Sequence, residues 1–482
     1  MIEKKSLKER VESNVYDLLN KDKYEIVKKD PQELLTWNRL TVIFNLFYLK
    51  YKEKYPKVAI NIYKQRVRAT SLGKFSESKL KSNFNEFVSV FDDIYEDIKQ
   101  NDFDHNKTII PLAKDGSILN GSHRLACCLF LNKPVYCIQT DIKAPIDDWH
   151  KLFNRNIDHD ILSLAVREFV KYCNNCYIAF LFPSCKDEQN KTKKLFKNIV
   201  YEKDVVLNTE GTYNLLVELY KHMIEWDGRP KSGFHGVKQK ECFPSGDYQN
   251  KIKVMVFQEE SLDRVISIKK KIRKVCNIGH SSIHITDTKE EVLRISELIF
   301  NNNGIHFLNY ANPYKYHKSN IKNIDNVLKY FEKNKIEQDD ILIDSSMLLS
   351  LYGLRKNEDI DFLTNKKITS PDEALDAHDS VLKYHAVEKN ELIYNSRYYF
   401  IYNNIKFVSF DQLFKMKSNR GEEKDIKDCE MMNALIESND YKKLIAKVKQ
   451  NIFYFRVRYK KIINLVMVLM LYILVCNIFG VK

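Results

Sequence analysis

The sequence predicts an α/β and α+β multidomain protein. Its 482 residues suffice for about three domains of roughly 150 residues each. The composition is 44% hydrophobic with only 13 glycines and 10 prolines, which is typical of a globular chain rather than a disordered or collagen-like one. The chain contains no internal repeat and no low-complexity linker. We therefore expect ordered domains along its length.

The hydrophobic patterns divide the chain into three domains and one C-terminal segment. Residues 1–150 combine a helical region with a strand, turn, strand and helix, and residues 326–450 form a unit that begins and ends with helices. Between them, residues 151–325 alternate helices with buried apolar strands such as 176–182, which favours a central α/β domain. The sequence does not define the role of this central domain. The remaining segment is 462–481.

The C-terminal segment predicts a single transmembrane helix. Residues 462–481 are 20 residues without a charge, a length that just spans a bilayer as a helix. Four basic residues lie between positions 456 and 461 and only Lys482 follows, so the positive-inside rule keeps the main body in the cytoplasm. The N-terminus lacks the apolar stretch of a secretory signal. A single-pass C-terminal membrane anchor is expected, and a buried C-terminal helix is the alternative.

The overall charge favours anionic partners. The net charge is +14, which is compatible with phosphates, nucleic acids or an anionic membrane surface, and also with a surface of solvated lysines. The basic residues are dispersed, and the helices after residue 150 show no helix-turn-helix with a basic recognition face. Nucleic acid is therefore disfavoured as a partner.

The cysteine pattern predicts reduced thiols. Ten cysteines show no paired framework, and most are expected to be buried. Cys173 and Cys176 form one CxxC pair that lacks the second pair or the ligand histidine of a zinc site. We expect neither metal binding nor redox chemistry from them.

The first candidate site lies within residues 100–145. From Asp115 the chain reads DGSILNGSHRLA, which predicts an Asp-Gly turn between two short strands and then a helix whose N-terminus carries His123 and Arg124. Gly121 lets the backbone approach a ligand closely, and a helix N-terminus beside a guanidinium is suited to binding phosphate. A hairpin and helix with merely structural His and Arg side chains is the alternative.

This segment resembles the ParB/sulfiredoxin superfamily, which includes nucleotide-binding ParB proteins, sulfiredoxins and free-serine kinases. The resemblance implies that Gly121, His123 and Arg124 contact nucleotide phosphates. Ser122 stands where sulfiredoxins carry their reactive cysteine. Reductase chemistry is therefore not expected.

The second candidate site lies within residues 340–436. Asp359 and Asp361 are two apart on a predicted strand, so both carboxylates point to one face and would hold Mg²⁺ against a triphosphate. Ser345 and Ser346 precede a predicted helix and would offer N–H and hydroxyl groups to the phosphates.

This pattern resembles the nucleotidyltransferase (polymerase β-like) superfamily, in which a Gly-Ser turn and helix precede an Asp-x-Asp strand. Five later residues resemble a K…R…KD..D helix of bacterial members: Lys417, Arg420, Lys424, Asp425 and Asp428. The resemblance implies that Asp359 and Asp361 are catalytic and bind magnesium. It also implies that Arg420 and Lys424 neutralise the charge of a bound nucleoside triphosphate.

Two departures from that family pattern bear on activity. Ser345 replaces the glycine of the turn, which would narrow the phosphate site. A third carboxylate is normally supplied by a later strand, but residues 398–410 contain no acid and only Glu391 and Asp411 flank them. The sequence therefore leaves catalytic competence open.

The third candidate site comprises His280, His284 and Asp287. If residues 280–286 form a strand, the two histidines share a face and Asp287 ends the strand before a helix. Two histidines and a carboxylate would suit a metal site or acid–base chemistry. Phosphate binding at the N-terminus of the helix, or ordinary packing and capping, are the alternatives.

These sites lead to one main hypothesis and two alternatives. The main hypothesis is magnesium-dependent nucleotidyl or phosphoryl transfer to an unknown small-molecule or glycan acceptor, for which a cell-envelope precursor is suggested by the predicted anchor. The second is a kinase or nucleotidase that uses His123 and Arg124. The third is a nucleotide-binding regulatory or scaffold protein at the membrane with a degenerate transferase domain.

Overall fold

The computed structural model divides into two compact units. The first comprises Met1–Asn309 and Tyr394–Asn404, and the second comprises the described residues of Tyr310–Ile393 and Ile405–Lys482. The predicted domains 1–150 and 151–325 fall in the first unit up to residue 309. The described residues are 1–76, 82–144, 146–221, 233–244, 250–344, 346–357, 359–372, 375–377, 379–457 and 459.

The strands are short and lie in both units. In chain order they are β1 Ile2–Glu3, β2 Lys23–Tyr24, β3 Ile26–Lys29, β4 Ile110–Leu112, β5 Val135–Gln139, β6 Cys176–Leu181, β7 Asn198–Leu207, β8 Asn250–Gln258, β9 Ile283–Ile285, β10 Ile341–Ile343, β11 Ile360–Thr364, β12 Leu375–Ala377, β13 Tyr399–Tyr402 and β14 Ile405–Val408.

Helices connect these strands along the chain. In order they are α1 Ser13–Tyr16, α2 Thr41–Tyr51, α3 Pro56–Thr70, α4 Phe84–Asn101, α5 Ser122–Leu131, α6 Trp149–Phe153, α7 His159–Tyr172, α8 Gln189–Lys193, α9 Thr209–Tyr220, α10 Phe234–Cys242, α11 Leu262–Cys276, α12 Lys289–Ile299, α13 Asn302–Tyr310, α14 His317–Asn334, α15 Met347–Leu351, α16 Leu382–His385, α17 Lys389–Tyr394, α18 Phe410–Arg420 and α19 Glu423–Ile436. Residues 440–457 are also helical.

The first unit contains a mixed sheet and an antiparallel sheet. In the mixed sheet, of order β3-β5-β4, β5 runs antiparallel to β3 and parallel to β4. The other sheet has the order β7-β8-β6-β9, and all its neighbours are antiparallel. On β6, Ile178, Ala179, Phe180 and Leu181 are all buried, which is typical of a strand covered on both faces. The prediction of a mixed α/β multidomain chain is confirmed at this level.

The second unit is built on strands in the order β12-β11-β10-β14. β10 runs antiparallel to β11 and parallel to β14, and β11 runs parallel to β12. Phe362 on β11 is fully buried, and its ring lies 5.7 Å from that of Tyr330 and 6.2 Å from that of Phe331 on α14. One face of β11 therefore packs on α14, and the alternate residues of the strand face the other way.

Four cysteines depart from the expectation of reduced thiols, whereas Cys127, Cys128, Cys137 and Cys242 are free and buried as predicted. Cys173 and Cys176 form a disulfide with a Cα separation of 5.9 Å. Cys185 and Cys276 form a second one with a Cα separation of 5.5 Å. Both separations are typical of disulfides. The second pair is 91 residues apart in sequence, so only the pairing of β6 with its neighbours and the packing of α11 bring it together.

The structure does not reach the predicted membrane anchor. Within the described residues, no helix has both the length and the apolar character needed to cross a bilayer. Segment 462–481 lies outside the described residues.

Candidate functional site

Three carboxylates share one face of the sheet in the second unit. β10 pairs antiparallel with β11, with Ile343 opposite Phe362. The next residue, Asp344, donates its N–H to the Asp361 carbonyl oxygen at 3.0 Å. Opposite residues of an antiparallel pair project to the same face, as do residues two apart on one strand. Asp344, Asp359 and Asp361 therefore project away from α14.

The turn after β10 brings a hydroxyl group to these acids. Ser346 occupies the N-cap position of the short helix α15, which confirms the predicted helix after the serine pair. Its Oγ donates to Asp359 Oδ1 at 3.3 Å, and the residue is buried. Ser345 lies outside the described residues. Ser346 is thus the serine of the pair that the structure places beside the carboxylates.

These groups line one cavity of about 450 Å³. Its acidic wall consists of Asp344, Asp359 and Asp361, with Ser346 beside them. Its basic wall consists of Arg355, Lys383, Lys417, Arg420 and Lys424. The cavity therefore brings together every described residue of the predicted nucleotidyltransferase-like site.

A buried ion-pair network fixes the basic wall. Arg420 on α18 donates to both carboxylate oxygens of Asp425 at 2.6 and 2.8 Å. Arg355 makes the same forked contact with Asp428 at 2.7 and 2.8 Å. Lys417 lies 3.1 Å from Asp425 and 2.9 Å from Asp428. Both acids lie on α19 and are 0% exposed. Lys417 and Arg420 on α18 therefore hold the two helices together and also line the cavity.

The charges in this network reinforce one another. Burial by itself raises the pKa of both acids. For Asp425, the hydrogen bond from Arg420 and the charge of Lys417 outweigh burial and lower the pKa. For Asp428, the hydrogen bond from Arg355 and the charge of Lys417 do the same. The hydrogen bond to Asp425 is the main reason that the pKa of Arg420 is raised. The network is therefore ionised throughout the neutral range.

Lys424 is less committed to the protein than Arg420. Its Nζ lies 3.3 Å from Glu422, and 46% of the Lys424 side chain is exposed. A flexible, half-exposed ammonium group can move to a ligand at little cost. Lys424 therefore differs from Arg420, although both were predicted to meet phosphate.

Asp344 is an acidic residue to which sequence reasoning assigned no role. Its Oδ2 accepts a hydrogen bond from His385 Nε2 at 2.7 Å. The other ring nitrogen of His385 lies 3.1 Å from Gln412 Nε2, which also donates to the His385 carbonyl oxygen at 2.9 Å. Since the amide can only donate to Nδ1, the proton of the imidazole lies on Nε2, toward Asp344. The one sequence signal for Asp344 was its position at the end of a short apolar run.

One carboxylate oxygen of the acidic wall makes no hydrogen bond to the described residues. Asp344 Oδ1 is buried without a hydrogen-bond partner in the described part of the chain. No group of three His, Cys, Asp or Glu side chains among the described residues is arranged to hold a metal ion. Mg²⁺ is commonly held by one or two carboxylates together with substrate phosphates. The carboxylates of Asp359 and Asp361 fit that incomplete type of site.

Gly121, His123 and Arg124 are not arranged as the phosphate contacts that the ParB/sulfiredoxin resemblance implied. Gly121 has φ +95°, the left-handed conformation that favours glycine, and precedes α5. His123 is buried, with Nε2 2.9 Å from the Tyr63 hydroxyl and its ring 4.5 Å from that of Phe91. His123 is therefore a core side chain, a position that does not suit contact with a nucleotide.

Arg124 is also engaged within the first unit. Its Nη1 donates to the Thr108 hydroxyl and, at 3.2 Å, to the Ile109 carbonyl oxygen. Burial lowers the pKa of its guanidinium. A side-chain carbon at Gly121 would lie 3.1 Å from Arg124 Nη2, so the glycine makes room for the guanidinium. These contacts account for Gly121 and Arg124 without a ligand.

The third candidate site needs a correction. The strand β9 covers only Ile283–Ile285, and His280 lies in the preceding 3₁₀ turn Gly279–Ser281, so His280 and His284 do not share a strand face. His284 is buried, with Nε2 2.8 Å from Glu291 Oε1. Asp287 forms an ion pair with Lys269. The prediction that the two histidines share a strand face is therefore wrong, although His280, His284 and Asp287 all line one cavity.

Comparisons with family models, with curated proteins and with solved structures found no match to this chain. The resemblances to the two superfamilies therefore rest on the residues described above. Functional assignment depends on the side chains and their arrangement.

Proposed function

We propose that the second unit is nucleotidyltransferase-like and catalyses magnesium-dependent nucleotidyl or phosphoryl transfer from a nucleoside triphosphate to a small-molecule or glycan acceptor. The supporting observation is that acidic and basic side chains line the same cavity. A site that must bind both a metal ion and a polyphosphate needs both kinds of charge within reach of one ligand. Few other ligands would require this combination.

Asp359 and Asp361 would hold Mg²⁺ in this proposal. They are the two acids placed two apart at the start of β11. When bound, the metal would neutralise charge on the phosphate oxygens. The Ser346 hydroxyl donates to Asp359 at 3.3 Å, and both Asp359 and Asp361 line the cavity.

The basic residues would bind the triphosphate. Lys424 is half-exposed and lines the cavity, so its ammonium group is available to phosphate oxygens. Arg420 adds charge to the wall while its forked contact with Asp425 keeps it in place. The Ser346 hydroxyl is a further polar group at the same end.

Asp344 would act on the acceptor. Its Oδ1 is buried and has no hydrogen-bond donor in the described residues, while Oδ2 is held by His385. A carboxylate oxygen in that state accepts a hydrogen bond from an acceptor hydroxyl and can take its proton as the new oxygen–phosphorus bond forms. His385 is then a positioning residue.

A non-catalytic alternative has one observation in its favour. The described residues contain no set of three metal ligands, as expected if the domain is a degenerate transferase that binds nucleotide and regulates a partner at the membrane. The kinase or nucleotidase alternative in the first unit is weakened by the burial of His123. The proposed membrane anchor, 462–481, would keep the main body on the cytoplasmic side and near envelope precursors.

Isotope transfer tests the proposal. The full chain is incubated with Mg²⁺, the small-molecule and glycan fraction of cells, and ATP, CTP, GTP or UTP labelled at the α or the γ phosphorus. Nucleotidyl transfer joins the acceptor oxygen to the α phosphorus and releases pyrophosphate, so the α label moves; phosphoryl transfer moves the γ label and releases the diphosphate. We expect Asp361→Asn to abolish transfer and Asp440→Asn, at an exposed acid, to retain it. Binding without any transfer would support the regulatory alternative.

A further inference from the structure

A second cavity lies in the first unit. It is bounded by α10, α11, β9 and the 3₁₀ turn Gly279–Ser281 and has a volume of about 1010 Å³. Its lining includes basic residues, Lys238, Lys269 and Arg273, and apolar ones, Tyr220, Phe234 and Ile278. The carboxylates of Glu241 and Asp287 also belong to the lining.

Two of the three cations are buried and paired. Lys238 is 7% exposed, and its Nζ donates to the Ser281 hydroxyl at 2.9 Å and lies 3.3 Å from Glu241. Lys269 is 8% exposed and pairs with Asp287. The partner carboxylates are much more exposed, with 50% of the Glu241 side chain and 45% of the Asp287 side chain in contact with solvent. The ammonium groups therefore lie deeper than the carboxylates.

Arg273 is the third cation and has no counterion in the part of the chain that the structure describes. Its Nε is buried without a hydrogen-bond partner, and its guanidinium forms no ion pair within the described residues. A buried charged donor left unsatisfied costs more free energy than one that is paired. An unpartnered guanidinium next to two buried ammonium groups is accounted for if an anion completes the site.

His280 indicates that the three cations converge. The pKa of its imidazole is lowered, first by the charge of Arg273, then by burial and by Lys238 and Lys269. His280 and the three cations line the same cavity, so all three charges act on one ring. The imidazole is uncharged at neutral pH and remains able to hydrogen-bond a ligand.

The apolar part would suit an organic group. Phe234 and Ile278 are each 41% exposed although they line a cavity. The Phe234 ring lies edge-on to Tyr220, with centroids 5.6 Å apart, so its position is set by packing. Exposed apolar side chains beside buried cations fit a ligand that has a charged end and a flat or apolar end.

We propose that this cavity binds an organic phosphate, with the phosphate group at Arg273, Lys238 and Lys269 and a planar or apolar group against Phe234 and Ile278. A phosphate carries about 1.5 to 2 negative charges and several acceptor oxygens, which matches three cations better than a carboxylate does. The site is formed within the first unit and does not depend on the transferase proposed for the second.

Ligand-observed NMR titration of the full chain tests this site. The probes are phenyl phosphate, inorganic phosphate and benzoate. Phenyl phosphate is expected to bind more tightly than either of the others. Arg273→Gln is expected to weaken phenyl phosphate binding by roughly tenfold or more, because it removes a charge-assisted contact. Lys274→Gln, at the exposed neighbouring lysine on the same helix, is expected to leave binding unchanged.

A second pair of variants tests the apolar part. Phe234→Ala is expected to bring the affinity for phenyl phosphate close to that for inorganic phosphate, and Val237→Ala, exposed on the same helix, is expected to have no effect. Thermal unfolding of each variant shows whether it is folded. Equal affinity in the Arg273 and Lys274 variants, or tighter binding of benzoate than of phenyl phosphate, would overturn the proposal. Lys424→Gln, in the cavity of the second unit, must leave phenyl phosphate binding unchanged. The test of this site is therefore separate from the test of the proposed transferase.

Discussion

Asp344 and His385 form a buried pair, with Nε2 of the histidine 2.7 Å from Oδ2 of the aspartate and both side chains 0% exposed. The pair lies at the end of β10, directly beside Asp361. It fixes one oxygen of Asp344, while the other is buried and has no hydrogen-bond partner in the described residues. Asp344 is thus a third acid in the lining of the cavity, besides Asp359 and Asp361.

Replacing His385 should therefore reduce turnover more than nucleotide affinity. His385→Leu removes the donor to Asp344, and we expect kcat to fall by roughly tenfold or more with little change in KM for the nucleotide. His385→Gln can place an amide donor near the former Nε2 and should restore part of the rate. A rise in KM alone would indicate that His385 supports nucleotide binding instead.

Replacing Lys424 should affect nucleotide affinity alone, whereas replacing Arg420 should affect both nucleotide affinity and stability. Lys424→Gln removes a half-exposed cation from the cavity, and we expect nucleotide affinity to fall by roughly tenfold with no change in Tm. Lys427→Gln, one turn further along α19 and not lining the cavity, is the matched control. Arg420→Gln should lower both affinity and Tm because it leaves Asp425 without its forked partner. Equal Tm losses in the two cavity variants would contradict this division.

The Asp425–Asp428 network predicts acid sensitivity of the second unit. The pKa of each acid is lower in the folded state than the unfolded value of about 3.9. Their contribution to stability is therefore complete above the unfolded pKa and is lost as pH falls through the folded pKa. Hydrogen-exchange protection of α18 and α19 should decrease below about pH 4.

Asp428→Asn should weaken that pH dependence. At neutral pH it leaves Arg355 without its forked partner and Lys417 with Asp425 alone, and we expect a loss of about 3 kcal/mol or more in the free energy of unfolding. Asp440→Asn, at a 96% exposed carboxylate, should leave both the stability and its pH dependence unchanged. An acid response of Asp428→Asn as steep as that of the parent would show that other groups cause it.

His123 should prove to be a stability residue. His123→Ala removes a ring packed between Tyr63 and Phe91, and we expect a loss of about 2 to 4 kcal/mol in the free energy of unfolding. His150→Ala, at a 52% exposed histidine of the same unit, should cost little. Denaturant unfolding followed by tryptophan fluorescence measures both. Loss of nucleotide binding in folded His123→Ala would instead support a ParB-like nucleotide site.

Local periodicity predicted part of the second unit well. Asp359 and Asp361 could be assigned to one face because residues on a strand alternate with a period of two. The helix after Ser346 was also evident from the apolar residues that follow. Asp344 was missed because its position beside Asp361 depends on the pairing of β10 with β11, which spacing alone does not specify.

The other differences have similar causes. The predicted strand 280–286 begins only at Ile283, because Gly279 adopts φ +60° and starts a 3₁₀ turn, and this separates His280 from His284. Arg273 could not be connected to His280 from sequence, since α11 has to pack beside β9 before the two approach. Tertiary packing therefore determined the features that sequence reasoning did not find.

Magnesium-dependent nucleotide binding tests the central claim most directly. ATP, CTP, GTP and UTP are titrated calorimetrically into the full chain, with and without Mg²⁺, for the parent, for Asp359→Asn/Asp361→Asn and for Arg124→Gln. We predict that at least one nucleotide binds only with Mg²⁺. The double carboxylate variant should lose this binding while keeping its Tm, and Arg124→Gln should retain it. Binding that survives in the carboxylate variant and disappears with Arg124→Gln would place the nucleotide site in the first unit and contradict the account.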